Sequence, residues 1–155
     1  MSVLDHRKIL ASEDQTIALA AGIAPLLRSG DVLLLEGSVG AGKTAFCRAL
    51  IRARLGVMED VPSPTFTIVQ TYEAVDGDIW HCDLYRLTHP DEALELGLDD
   101  AFETAICLIE WPDRLADAIP PDALTLSLVA EDGFHTVRLT GSARWAARLE
   151  PALHG

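Results

Sequence analysis

One stretch of eight residues, 37–44, constrains the fold of this chain more than any other part of its sequence. Its residues, Gly-Ser-Val-Gly-Ala-Gly-Lys-Thr, have the spacing of a phosphate-binding loop: a glycine, four residues, then Gly-Lys-Thr. The apolar run within 31–36 predicts a buried strand before the loop, and residues 45–55 predict a helix after it that stops at Gly56. A strand, this loop and a helix in succession are typical of an α/β fold with a central, mostly parallel sheet flanked by helices.

The residue types in the loop suit the binding of a nucleoside triphosphate. Its glycines permit turns that point successive backbone N–H groups at a phosphate, and the following helix adds the positive end of its dipole. Lys43 supplies a cation for the outer phosphates, and the hydroxyl of Thr44 can bind a Mg²⁺ ion that bridges them. The alternative, a glycine-rich turn with a surface lysine, does not account for the complete pattern in its setting. We therefore expect a nucleotide site in a P-loop NTPase-like fold.

Two acidic residues stand at the ends of predicted strands. Residues 105–109 are an uninterrupted apolar run, as expected for a central parallel strand covered on both faces, and Glu110 follows at once. Because ligands collect beyond the carboxyl ends of strands in open α/β sheets, Glu110 is the best candidate for the acidic partner of Mg²⁺. Trp111 is expected to pack beside the site. Asp83 ends the strand predicted over 79–83 and could orient water, pair with an arginine at the surface, or cap the next turn.

Three further residues have both a functional and a structural interpretation. Thr16 could lie near the nucleotide base, although a threonine on a helix surface is the more ordinary case. Thr65 could be a hydroxyl that senses the terminal phosphate, or simply the stiff entry to a strand. His81 alternates with Asp83 along the predicted strand, so both face the same side, and we interpret His81 as a structural histidine.

The remaining secondary structure is predicted to add to this core. A capping box formed by Ser12 and Gln15 opens an N-terminal helix, which Pro25 should bend or interrupt. Residues 67–83 and 124–139 each predict an antiparallel hairpin, because β-forming runs flank a glycine-containing turn in both. The predicted fold is therefore a parallel core with antiparallel hairpin additions.

Length and composition limit the classes of protein that remain. A chain of 155 residues, 49% of them hydrophobic, is predicted to form a single domain over residues 1–155. Its formal net charge of −12 argues against a broad electrostatic grip on nucleic acid, so a partner would hold any RNA. No apolar run is long enough to cross a bilayer, and the N-terminus lacks the apolar core of a signal peptide. Three widely spaced cysteines indicate buried free thiols in a reducing cytoplasm.

Four motifs, taken in order, resemble those of the TsaE family, formerly YjeE. They are Gly-x-x-Gly-Ala-Gly-Lys-Thr at 37–44, Ser-Pro-Thr-Phe at 63–66, His-Cys-Asp-Leu-Tyr-Arg-Leu at 81–87 and Ile-Glu-Trp-Pro at 109–112. TsaE is the bacterial ATPase of the tRNA threonylcarbamoyladenosine modification system. The order of the four motifs is far more specific than the loop alone.

The resemblance implies a role for each matching residue. Thr44 and Glu110 would bind Mg²⁺, and Asp83 would be the acid needed for hydrolysis, with Lys43 and Glu110 as the other catalytic residues. The loop would hold the phosphates of ATP through Ser38, Val39, Gly40, Ala41, Gly42, Lys43 and Thr44.

The resemblance also implies partners and moving parts. The family works with the TsaB and TsaD proteins, and its ATP turnover lets that complex cycle rather than performing the carbamoyl transfer itself. Segments 63–65 and 81–86 would correspond to switch-like segments. Ser38 stands where the family commonly has an acid, and Cys82 where it commonly has an aromatic residue, but neither change removes a phosphate or metal ligand.

Three hypotheses for the activity follow. A partner-regulated ATPase would turn over slowly alone, because it lacks a contributed cation such as an arginine finger, and Arg86 is the only nearby basic candidate. A small-molecule kinase would want a basic lid, yet the chain has only twelve Lys and Arg and no arginine cluster. The third is a nucleotide-gated binding module without useful hydrolysis. A GTPase is disfavoured because the chain has no asparagine for the Asn-Lys-x-Asp element that reads guanine.

Overall fold

The computed structural model describes residues 3–38, 40–56, 69–74 and 77–153. Within these ranges the strands β1 to β7 are Leu4–Leu10, Val32–Glu36, Val69–Tyr72, Ile79–Asp83, Ile106–Glu110, Leu124–Ala130 and His135–Gly141. The helices α1 to α5 are Glu13–Ile23, Lys43–Leu55, Pro90–Glu95, Leu98–Thr104 and Ala143–Leu153. Short 3-10 segments cover Ala24–Leu26 and Pro112–Ala118. None of the helices in the described ranges combines the length and apolarity needed to cross a lipid bilayer.

The described strands form one seven-stranded sheet whose centre is parallel. Its order is β1-β7-β6-β2-β5-β4-β3, and the pairs β6–β2, β2–β5 and β5–β4 are parallel. Both margins are antiparallel, through β1–β7 and β7–β6 on one side and β3–β4 on the other. The predicted α/β class, with a parallel core and antiparallel hairpin additions, is confirmed. Because β2, β4 and β5 run the same way, their carboxyl ends meet at one edge of the sheet.

Helices cover both faces of the sheet, which explains why β5 is apolar from Ile106 to Ile109. Ile106 and Leu108 point into a core that includes α1, α2 and α5. Cys107 and Ile109 point into a second core beneath α3 and α4. Side chains alternate along a strand, so a strand buried on both faces needs an unbroken apolar run. All three cysteines are buried and free, as predicted.

Local signals shaped α1 as predicted. The hydroxyl of Ser12 accepts a hydrogen bond from the backbone N–H of Gln15 at 3.4 Å, which caps the helix. The helix ends at Ile23, and Pro25 lies in the 3-10 segment that follows, because proline cannot continue an α-helical hydrogen-bond ladder.

The alternating apolar pattern of the C-terminal hairpin did not predict where the hairpin lies in the sheet. Strand β6 pairs in parallel with β2 and so belongs to the central sheet, whereas β7 pairs with β1 from the other end of the chain. Leu124, Leu126 and Leu128 are buried on the same face as α1, α2 and α5. An alternating pattern identifies a buried face but not the neighbouring strand. The predictions for 63–66, including Thr65, and the start of the strand at 67–68 lie outside the described residues.

Candidate functional site

The glycine-rich loop joins β2 to α2 at the carboxyl edge of the sheet. Gly37 has a φ of +146°, and an added Cβ there would lie 2.5 Å from the carbonyl oxygen of Leu128 on β6. Gly42 adopts a left-handed conformation at the residue before α2. Both positions therefore require glycine for physical reasons. Ser38 and Gly40 are not buried and Ala41 is, while Val39 lies outside the described residues.

The ammonium group of Lys43 lies inside this loop. Its Nζ donates to the carbonyl oxygens of Gly37 at 2.5 Å and Ser38 at 2.8 Å. The same Nζ is 4.2 Å from the centroid of the Trp111 ring, a cation–π distance. Burial lowers the pKa of Lys43, and the nearby carboxylates of Glu110 and Asp83 oppose that shift. Lys43 is thus a desolvated cation held by groups that a bound anion can replace.

Thr44 and Glu110, 66 positions apart in the chain, meet at the start of α2. The Thr44 hydroxyl donates to Oε1 of Glu110 at 2.9 Å. Glu110 is the last residue of β5, and its side chain is almost completely buried. Strand β5 is the parallel neighbour of β2, from which the loop departs. This adjacency explains why an acid at the end of β5 reaches the first turn of α2.

Asp83 lies beside Glu110, because the two are register partners at the ends of β4 and β5. Its Oδ1 accepts a hydrogen bond from the backbone N–H of Tyr85 at 3.1 Å, so the turn-capping interaction considered from the sequence is present. Burial raises the pKa of Asp83, the charge of Glu110 raises it further, and the Tyr85 N–H acts in the opposite direction. Within the described ranges Asp83 has no arginine at ion-pair distance.

Trp111 closes this end of the sheet. It follows β5 with a φ of +60°, an uncommon conformation for a bulky residue, and its ring centroid is 5.0 Å from that of Tyr85. The guanidinium of Arg114 lies 5.9 Å from the Tyr85 ring. As expected from its position after Glu110, the indole packs beside the site.

His81 contacts Glu110, and this contact was not predicted from the sequence. Its Nε2 lies 2.7 Å from Oε2 of Glu110, and the imidazole is completely buried. Its alternation with Asp83 was the available signal, because both side chains leave β4 on the same face. A hydrogen bond from His81 fixes one oxygen of Glu110 while Thr44 engages the other.

A cavity of about 490 Å³ opens beside the loop. Ala41 and Gly42 form one wall, Thr16 on α1 another, and Phe134 and His135 of the β6–β7 hairpin a third. Thr16 is buried here, so its interpretation as a helix-surface residue is wrong. Phe134 and His135 were not predicted, because nothing local in the sequence connects that hairpin to the loop.

Comparisons with known proteins agree on one family. The sequence profile described as "Threonylcarbamoyl adenosine biosynthesis protein TsaE" matches residues 10–138. The tRNA threonylcarbamoyladenosine biosynthesis protein TsaE of Rickettsia bellii is 39% identical over 128 residues, which cover 83% of this chain and 89% of the relative. The protein of the same name from Bacillus subtilis is 39% identical over 114 residues, covering 73% and 70%. The crystal structure of Bacillus subtilis YdiB superposes with a TM-score of 0.82 at 29% identity, covering 99% of this chain and 97% of that one.

Proposed function

Because this chain belongs to the TsaE family of tRNA threonylcarbamoyladenosine biosynthesis proteins, we propose that it is a Mg²⁺-dependent ATPase serving that modification. The observation that carries the proposal is the Thr44–Glu110 hydrogen bond at 2.9 Å beside the buried ammonium of Lys43. A hydroxyl, a carboxylate and a cation are thereby assembled at the mouth of a glycine-rich loop. This is the set of groups that binds a metal-complexed triphosphate.

The donor set around Glu110 suits Mg²⁺. Thr44 and Glu110 present oxygen ligands, which Mg²⁺ prefers, and among the described residues no lysine or arginine is within ion-pair distance of Glu110. When bound, Mg²⁺ would supply positive charge to the phosphate oxygens. Lys43 would exchange its two carbonyl partners for phosphate oxygens, since both kinds of acceptor satisfy an ammonium.

Asp83 is proposed to position the attacking water. Its pKa is raised by burial and by Glu110, which makes it a better proton acceptor than an ordinary aspartate. It stands at the end of β4 next to Glu110, on the edge where Lys43 projects. Trp111 and Tyr85 pack together over this edge and would limit the access of other water molecules.

The cavity beside the loop is proposed to hold the nucleoside part of ATP. It adjoins Ala41 and Gly42, so a nucleotide whose phosphates lie in the loop can extend into it without crossing the protein. Phe134 offers a ring face for stacking, and Thr16 and His135 offer polar atoms.

Hydrolysis by the isolated protein is expected to be slow. In the described ranges no arginine forms a hydrogen bond or ion pair with Lys43, Thr44 or Glu110. A contributed arginine raises turnover by about 10³–10⁵-fold in related enzymes. We propose that TsaB- and TsaD-type partners supply the missing cation, and that they do so in the cytoplasm. Nucleic acid would be bound through those partners, in keeping with the net charge of −12.

Thermal unfolding with ATP, GTP or ADP, each with and without Mg²⁺, tests the binding site. At a hundredfold excess over its dissociation constant, ATP should add about 2.7 kcal/mol of stability, and Lys43→Ala should lose that gain. Lys8 on β1 is the only other lysine in the sequence, so Lys8→Ala is the matched control and should keep the gain. Equal stabilisation of the wild type and Lys43→Ala would overturn the assignment.

Product analysis separates the remaining activities. With partners present, multiple turnovers to ADP and phosphate support the ATPase, whereas ATP retained without product supports a nucleotide-gated binding module. Phosphorylation of a metabolite by the protein alone would favour the kinase. Asp83→Asn should reduce partner-stimulated turnover, and an unchanged rate would contradict the role proposed for Asp83.

A further inference from the structure

Beneath the Thr44–Glu110 contact lies a cluster of three buried side chains, of which only Glu110 is assigned a role as a ligand in the proposed ATPase. A ligand atom from each of Cys47, His81 and Glu110 lies within 4.8 Å of the other two. Cys47 and His81 are completely buried and Glu110 almost so. Their side chains come from α2, β4 and β5, so the cluster is created by packing rather than by a local sequence motif.

Only one of the three cysteines takes part. Cys47 belongs to the core that contains α1, α2 and α5, on the face toward which His81 and Glu110 project. Cys82 and Cys107 lie in the core on the opposite face. Cys82 is next to His81 in sequence, yet it points the other way because successive strand residues alternate. The chain therefore contains two equally buried thiols that can serve as controls for the first.

Only one ring nitrogen of His81, Nε2, forms a hydrogen bond among the described residues. Within the described residues Nδ1 has no hydrogen-bond partner, although the ring is completely buried. Because Nε2 faces Glu110 and donates to it, Nδ1 is the unprotonated nitrogen, and it can take up that proton when a cation binds at Nε2. The unpartnered Nδ1 therefore lets Nε2 change from a hydrogen-bond donor into a metal ligand while the imidazole stays neutral.

We propose that Cys47, His81 and Glu110 form a binding site for a thiophilic divalent cation, with Zn²⁺ as its ordinary occupant. Sulfur, imidazole nitrogen and carboxylate oxygen are the three ligand types that Zn²⁺ accepts in proteins. Tetrahedral Zn²⁺ with bonds of about 2.0–2.3 Å places its ligand atoms about 3.3–3.6 Å apart. The separations of up to 4.8 Å need to contract by about 1 Å, and the Nε2–Oε2 contact of 2.7 Å needs to open by about 0.6 Å. Both changes are within the reach of side-chain adjustment.

The binding step is a proton exchange without redox change. The Cys47 thiol forms a bond from sulfur to the metal and releases its proton to solvent. Burial raises the pKa of Cys47, so free thiolate is scarce and the metal must itself drive the deprotonation. Mg²⁺ has little affinity for sulfur, which separates this site from the one assigned to the nucleotide.

Occupation of this site would compete with the proposed ATPase for Glu110. A carboxylate drawn toward Cys47 and His81 would no longer be free to complete the metal site with Thr44. Zn²⁺ should therefore weaken the Mg²⁺-dependent part of ATP binding. That consequence rests on the proposed function, whereas binding of the cation does not.

Cobalt spectroscopy of the reduced, nucleotide-free protein tests the site directly. Co²⁺ should produce a thiolate-to-cobalt charge-transfer band that Zn²⁺ abolishes by displacement. Cys47→Ser and Cys47→Ala should both lose the band, whereas Cys107→Ser should keep it. Glu110→Gln should keep a thiolate band with a Co²⁺ affinity lower by at least about tenfold. Circular dichroism of each variant establishes that it is folded.

The outcomes distinguish this proposal from the ATPase. Absence of a thiolate band in the wild type, or its persistence in both Cys47 variants, would refute the site. A wild type that shows the band but gains no stability from ATP and Mg²⁺ would keep the site and overturn the proposed function. Loss of ATP stabilisation on adding Zn²⁺ in the wild type, but not in Cys47→Ala, would support competition for Glu110.

Discussion

Two buried carboxylates, Asp31 and Glu110, lie at opposite ends of two neighbouring parallel strands and have hydrogen-bond partners of different charge. Asp31 precedes β2 and accepts from Arg148 at 2.6 Å, from Arg144 at 3.2 Å and from the backbone N–H of Arg28 at 2.7 Å. Glu110 ends β5, where its partners are the hydroxyl of Thr44 and the imidazole of His81. Their exposed fractions are similar, 4% and 2%. Burial alone therefore does not distinguish Asp31 from the carboxylate that we propose as a metal ligand.

The charge of the surrounding groups does distinguish Asp31 from Glu110. Two arginines neutralise Asp31, so that carboxylate joins α5 to the sheet and has no need of a further cation. The contacts of Glu110 orient it without supplying a permanent positive charge at hydrogen-bond distance. A buried carboxylate left in that state favours a cation, which is the property a metal site requires. One end of this strand pair thus carries a neutralised carboxylate, and the other carries the carboxylate that we propose as a metal ligand.

Asp31→Asn should produce the largest effect, because it leaves Arg148 and Arg144 without their shared buried partner. We expect a loss of about 3 kcal/mol in the free energy of unfolding, measured by urea denaturation. Asp5 provides the control: it pairs with Arg138, but both side chains are roughly half-exposed, so Asp5→Asn should cost far less stability than Asp31→Asn. Equal losses for the two variants would remove the distinction between buried and exposed pairs.

Glu110→Gln should behave in the opposite way to Asp31→Asn. The amide keeps the shape of the side chain and removes a buried charge that no lysine or arginine neutralises in the described structure. The free energy of unfolding should stay the same or rise by up to about 1 kcal/mol, while the Mg²⁺-dependent stabilisation by ATP disappears. Urea denaturation with and without ATP and Mg²⁺ measures both. A destabilisation as large as that of Asp31→Asn would make Glu110 a structural residue.

Asp83→Asn should give the smallest effect, visible in pH dependence. Folding raises the pKa of Asp83 above its ordinary value of 3.8. In the pH window between the ordinary pKa and the raised one, the folded protein therefore binds more protons than the unfolded chain. The free energy of unfolding should therefore fall as pH rises through that window. The amide of the variant cannot titrate, so the wild type minus variant difference should decline across the window and then level off. A difference that rises with pH would instead mean that folding lowers the pKa of Asp83.

Much of the fold and part of the candidate site could be predicted from short stretches of sequence. The strand–loop–helix unit follows from periodicity and glycine spacing, which act over a few residues. The proximity of Glu110 to Thr44 was also predictable, because parallel strands place their carboxyl ends on one edge. The contact of His81 with Glu110 and the cavity wall formed by Phe134 were missed, since both depend on which strands become neighbours.

The sequence alone was sufficient to specify a glycine loop with a lysine, a threonine and an acid at the end of a later buried strand. Those features depend on local backbone freedom and on side-chain alternation, which operate within a few residues. Only the tertiary structure placed Arg148 on Asp31 across 117 positions and His81 on Glu110 across 29. Strand order and helix packing decide such contacts, because they arise when distant segments are buried together. Whether a buried acid is neutralised or left to attract a cation is therefore a property of the packed fold.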